Sequence, residues 1–251
     1  MSGHSKWKKI KRQKSTADLK KGNLFTKLGQ AITLAVREGG GGEEDTNFML
    51  RMAISKAKEA NVPKDTIARA INRGLGKSES GTTLEQVTYE VVGAEGITLL
   101  IDCVTDNKNR TISDIRRVLS NSDFSMGGGS LAWQFDSKGI IILEARKGRE
   151  PIKEEEMILA IMEISGVEDV HTQIGENNES LIAVFTQREC FKEVFQGIKE
   201  QEYEVLEAYM GKKAKNFLTV KDSLKLRVND LKNKLLDLED VENVWTNIDL
   251  Q

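Results

Sequence analysis

Six short runs between Ile140 and Tyr209 decide how this chain folds. They are IIIL at 140–143, EEEMILAIMEIS at 154–165, EDVHTQI at 168–174, LIAVF at 181–185, ECFKEVFQGIKEQ at 189–201 and EVLEAY at 204–209. The shorter apolar runs read as strands. In the two longer runs apolar residues recur three and four apart, Met157, Ile158, Ile161 and Met162 in one, Phe191, Val194 and Ile198 in the other. That is the period of a helix with one buried face. The order is β-α-β-β-α-β, the ferredoxin-like motif.

The flanking sequence pairs up in the same way. A strand at 97–104, a helix at 111–121 and a strand at 131–135 come before it. A strand at 214–219, a helix at 221–237 and a strand at 243–248 follow. Together they read as a second ferredoxin-like domain with the first inserted in its middle, and the alternating Val87, Tyr89 and Val91 of 86–92 form an extra edge strand.

Upstream the period is helical. From Leu24 onward, Phe25, Leu28, Ile32 and Val36 share one face until the glycine run 39–42 stops the helix. A second helix is expected at 47–60. A third has Pro63 at its first position and Asp65 in its first turn, and ends at Gly74. A Gly-, Ser- and Thr-rich linker follows at 74–83. The expected fold class is α+β: an N-terminal three-helix domain plus two ferredoxin-like α+β domains, one inserted in the other. The expected domains are 1–80, 81–136 plus 211–251, and 137–210.

The net charge of −2 hides an asymmetry. Residues 1–80 hold 17 Lys and Arg against 8 Asp and Glu, a net of +9, and the remainder carries −11. An anionic partner for the front of the chain follows. The run SKWKKIKRQK at 5–14 has only Trp7 and Ile10 as large apolar residues, so it buries no core and is either an arm ordered on a partner or a mobile tail. Lys6, Lys8, Lys9, Lys11, Arg12 and Lys14, with Lys20, Lys21 and Lys27 behind them, are candidate phosphate contacts, because each contact releases a counterion. Trp7 offers a ring that stacks on an unpaired base.

A second candidate is the segment from Thr105 to Thr111. It joins a buried strand to a helix N-terminus, where free N–H groups favour an anion. Asn107, Asn109, Arg110 and Thr111 are its candidate contacts. The competing reading is an ordinary turn, with Thr111 and Asp114 as a capping box.

Conventional chemistry is missing from the pattern. His4 and His171 with the distant Cys103 and Cys190 make no metal site, and no nucleophile–base set has a matching context. Gly76-Lys77-Ser78 resembles the end of a P-loop, but Ile71 stands where the first glycine belongs. No enzyme, catalytic residue, metal or cofactor is expected. With no membrane span or signal sequence in the pattern, and with both cysteines read as reduced core residues, a cytoplasmic location is expected.

Several motifs in order resemble the YebC/PmpR family, which includes a mitochondrial translational activator of a cytochrome oxidase subunit. They are Gly3-His4-Ser5-Lys6-Trp7, Phe25-Thr26-Lys27-Leu28, Pro63-Lys64-Asp65 with Ala70-Ile71, Val87-Thr88-Tyr89-Glu90, Thr105-Asp106-Asn107 through Thr111, and Asp240-Val241 with Val244 to Asn247. The chain departs from the family pattern at Glu43–Asp45, Val92–Glu95 and Ser122–Phe124. The resemblance implies three domains, no cofactor and a role in gene expression. One implied role is a DNA-binding transcriptional regulator. Another is a translation factor, bound to ribosomal RNA and the ribosome, that relieves stalling on difficult peptides such as proline runs. A protein-interaction module is a third reading of the acidic back of the chain. The oligomeric state stays open.

Overall fold

The computed structural model describes residues 3–77, 84–147, 150–174 and 179–249, and the side chains of 21–77, 84–145, 152–173 and 179–249. The chain folds into two units, Met1–Ser130 with Val220–Val244 and Leu131–Thr219 with Trp245–Gln251. Residues 78–83 of the expected linker lie outside the described residues.

The first unit opens on α1 (Gly3–Glu38), α2 (Phe48–Glu59) and α3 (Lys64–Gly74). The apolar face read at 25–36 is the one buried: Leu28, Ile32, Ala35 and Val36 pack with Leu50, Ile54 and Ala57 of α2 and Ile67 and Ala70 of α3. Asn47 caps α2 by accepting the N–H of Leu50 at 3.0 Å, and its amide donates to Ala35 O at 2.7 Å, so one side chain ties α1 to α2. Gly74 allows α3 to lie close to α1, since a Cβ there would stand 2.6 Å from Val36 Cβ. Two expectations change here. The first helix begins at Gly3, not near Leu24, because Lys, Arg and Gln are good helix formers and apolar periodicity says nothing about an unburied turn. Pro63 is the N-cap of α3, one residue before the helix.

The same unit holds β1 (Glu85–Val92), β2 (Thr98–Thr105), α4 (Lys108–Leu119), β3 (Ser125–Met126), α7 (Asp222–Leu236) and, up to Val244, β9 (Val241–Thr246). The sheet order is β3-β1-β2-β9. Thr111, Ile115 and Leu119 of α4 and Val228, Leu231 and Leu235 of α7 are buried. The order is that of a ferredoxin-like sheet whose third strand comes first in the chain. Hence β1 is not the extra edge expected. It lies between β2 and β3, the place expected for residues 214–219. The strand expected at 131–135 is instead a 3₁₀ turn at Ala132–Gln134, and the sheet uses the short β3. Of the strand expected at 214–219, Ala214 is the end of β8, and after it only Leu218 makes a single bridge, to Ile248.

The second unit contains β4 (Phe135–Lys147), β5 (Glu150–Pro151), α5 (Glu154–Met162), β6 (Val167–Ile174), β7 (Ser180–Gln187), α6 (Phe191–Glu200) and β8 (Tyr203–Ala214). β8 pairs β4, β4 pairs β7 and β7 pairs β6, all antiparallel, with β5 on the end of β4. This is the ferredoxin-like order. Ile141, Leu143, Ile182 and Val184 are buried along with Met157 and Ile161 of α5 and Val194 and Ile198 of α6. Alternation puts Ile140 and Ile142 on the other face with Ala183, where Phe185, Tyr209 and Trp245 pack against them. Burial pushes the Tyr209 phenol up to about 12.

Candidate nucleic-acid interface

α1 is the element that positions the basic residues. At 1.5 Å per residue its 36 residues span about 54 Å, against roughly 18 Å for the 12 of α2 and roughly 16 Å for the 11 of α3. Among the described side chains, those from Phe25 to Val36 pack α1 on those helices, and a segment of about 33 Å precedes them. Lys6, Trp7, Lys8, Lys9, Lys11, Arg12, Lys14 and Lys20 lie on this segment, and their side chains are outside the described residues. Lys21 is exposed, with Nζ 5.5 Å from the centre of the Phe25 ring.

From Asn23 onward α1 is anchored to the rest of its unit. The Asn23 amide donates to Asp237 O at 3.2 Å, and Lys27 Nζ donates to Leu236 O. Both acceptors lie at the C-terminal end of α7, where carbonyls lack helical partners and a cation is favoured. Gln30 Nε2 donates to Val104 O at 3.1 Å, and Arg37 donates to Leu84 O at 2.8 Å. Burial pushes the Lys27 amine down, while Asp237 and Glu242 pull it up. Burial raises the Glu242 carboxyl to about 7, helped by Asp102 and Glu38 and opposed by Lys27. Lys27 therefore works inside the fold.

The segment from Thr105 to Thr111 is also bonded inward. The helix begins three residues earlier than expected, so Thr111 lies inside α4 and Asn107 is the cap, where the expected Thr111–Asp114 capping box does not form. Asn107 Oδ1 accepts the N–H groups of Asn109 and Arg110, both at 3.1 Å. These are the donors that an anion would have used. Arg110 grips Asp240 with both ends of its guanidinium, at 2.7 Å to Oδ1 and 3.2 Å from Nε to Oδ2, and reaches Asp106 at 3.2 Å. The buried Thr111 hydroxyl donates to Asp240 Oδ2 at 2.7 Å, and Thr105 reaches the same oxygen at 3.2 Å. Asn109 has an exposed side chain beside this network.

Asp240 organises the network, a role that its place in the Asp240-Val241 motif does not reveal. It is buried, and it meets its partners across 129 to 135 residues of chain, so no local spacing marks it. On α2 and α3, Arg51 donates to Glu44 O and Asp45 O, and Arg69 to Asp65 O and Thr66, while Asn72 and Arg73 are exposed. Among the described residues no three His, Cys, Asp or Glu side chains are placed to hold a metal ion, and no helix is long and apolar enough to cross a membrane.

This geometry defines an α+β protein built from two ferredoxin-like sheets, with a long basic helix leading the first. Family models for the TACO1/YebC N-terminal domain and for the TACO1/YebC second and third domain match residues 5–77 and 84–248, and the chain belongs to that family. A probable transcriptional regulatory protein from Dictyoglomus turgidum is 41% identical over the whole chain and 96% of its own length. One of the same description from Natranaerobius thermophilus is 39% identical, over the whole chain and 97% of its own length. A crystal structure of a conserved hypothetical protein from Aquifex aeolicus has a TM-score of 0.77 at 31% identity, covering 91% of this chain and 90% of that one.

Proposed function

We propose that this protein is a non-enzymatic, nucleic-acid-binding regulator of gene expression that grips phosphates through α1 before Asn23. The observation that carries this reading is the contrast along one helix. Eight Lys and Arg against a single Asp lie between residues 3 and 21, on the segment of α1 that precedes its packed face, while Lys27 and Arg37 behind it are bonded into the fold. Phosphate contacts of this kind set affinity and position without reading sequence. The description of the relatives as probable transcriptional regulatory proteins supports a role in transcription, for which this reading takes DNA as the partner.

A second reading is a ribosome-associated translation factor acting on stalled peptides. One observation favours it: on the α2–α3 pair Arg51 and Arg69 are bonded to their own loops and helices, which leaves Asn72 and Arg73 as the exposed pair for base edges, fewer than a recognition helix uses. Recognition by shape and phosphate suits structured RNA.

Co-sedimentation with ribosomes and, in parallel, with genomic DNA fragments over a range of salt separates the two. Binding to DNA that outlasts ribosome binding near physiological salt supports the transcriptional role. Ribosome binding alone at that salt supports translation. Sedimentation with neither at low salt would sink both.

A further inference from the structure

The outer side of α5 is patterned in a way that its own fold does not require. Glu155, Glu156, Leu159, Met162 and Glu163 are its exposed stripe, with Leu159 67% and Met162 57% exposed, while Met157 and Ile161 are buried behind them. The spacing places two large apolar side chains together, with carboxylates at both ends. Glu155 and Glu156 in the first turn suit the helix dipole, but Glu163 at the C-cap opposes it, and no basic residue in the last turn offsets it. Lys153, the sole cation between 153 and 163, lies 3.8 Å from Glu156 with both side chains largely exposed, so the stripe stays acidic.

The front of α1 carries the opposite pattern. By helical register, positions 6, 7, 10, 11 and 14 share one stripe, and the sequence places Lys6, Trp7, Ile10, Lys11 and Lys14 there. Two apolar residues three apart are flanked by cations, where Leu159 and Met162, also three apart, are flanked by carboxylates. Residues 3–21 carry a net +7, and like charges four apart such as Lys8 and Arg12 disfavour a helix standing alone. An acidic partner relieves that repulsion.

We propose that the exposed stripe of α5 is a docking site for residues 6–14 of α1 from a second copy of this chain. Docking aligns positions 7 and 10 with Leu159 and Met162, and Lys6, Lys11 and Lys14 with Glu155, Glu156 and Glu163. The patch is small beside a standard interface of about 1,600 Å², so association is weak and salt-sensitive. It also competes with any other ligand of the same lysines. The docking does not rest on the proposed function; the competition does.

Sedimentation velocity of the full chain without nucleic acid, at low salt and at about 0.5 M salt, tests the docking. The wild type is expected to dimerise with concentration at low salt and to fall to monomer at high salt. The E155K/E156K/E163K chain is expected to associate at least about tenfold more weakly. Mixing it with a K6E/K11E/K14E chain is expected to restore a heterodimer. The pair Leu159→Ser and Met162→Ser, which leaves every charge in place, is expected to weaken the dimer as well. A wild type monomeric at every concentration overturns the proposal, and so does self-association unchanged by the α5 substitutions. Adding a short RNA or DNA duplex to the wild-type dimer is expected to release monomers; dimers that survive a saturating duplex count against the proposed function and leave the docking standing.

Discussion

Lys27 and Arg110 end on oxygen atoms of their own unit, whereas the basic residues at 6–21 lie on the part of α1 that precedes its packed face of Phe25 to Val36. Both regions read alike in the sequence, as polar runs with clustered Lys and Arg near a helix. The difference between them is long-range. Arg110 meets Asp240 and Lys27 meets α7 because the chain returns, after the inserted unit, with a helix and a strand beside β2. A basic residue near a helix end is therefore weak evidence of a ligand until the return of the chain is known. The contrast also divides the consequences of mutation, with stability at one region and binding at the other.

The largest effect on stability is expected at Asp240. Asp240→Ala leaves a guanidinium and two buried hydroxyls without their shared acceptor, at a cost of about 3 kcal/mol in denaturant unfolding. If the loss is within a few tenths of a kcal/mol, the network is not what holds the segment at Thr105–Thr111. The next effect is a dependence on pH. Glu242 has a folded-state value of about 7 against an ordinary 4.5, so the folded state binds the extra proton and stability is lost as pH rises through that window. Relative to Glu242→Gln, the wild type is expected to become less stable between about pH 4.5 and 7 and then level off. Lys27→Met, which removes the opposing cation, is expected to move the window upward. A flat difference between wild type and Glu242→Gln would break the account of the anchored part of α1. Smallest is Asn107→Ala, expected to cost about 1 kcal/mol for the lost cap and to leave nucleic-acid affinity unchanged. A selective loss of binding there would return Asn107 to the interface.

What the sequence made legible follows from where its signals are local. The elements of the second ferredoxin-like sheet, from β4 to β8, follow one another without interruption, so their order could be read directly from period and length. The other sheet is assembled from both sides of that insertion. Its interior strand β1 looked like an edge because nothing local states which strand β2 will take as its neighbour. β3 is two residues long, below any periodic signal, and the apolar run after it proved to be a 3₁₀ turn and the start of β4. At the site, Asn107 was read as a contact although its residue type and place before a helix also described a cap. Asp240 stood only as part of a motif within an acidic run, and nothing local set it apart from Asp237, Glu239 and Glu242 as the partner of Arg110. The charge run at 6–14 was legible because it needs no partner in the chain to be noticed, but its continuation into α1 was hidden by the lack of an apolar stripe.

The most direct test of the central claim is the slope of log affinity against log salt for the wild type and for K8A/K9A/K11A/R12A, using whichever of ribosomes or DNA the wild type retains. The wild type is expected to show a steep slope, and the variant one shallower by about 3 to 4, with affinity down at least about a hundredfold at low salt and unfolding unchanged. Equal slopes and affinities for the two proteins would contradict the claim that α1 before Asn23 grips phosphates.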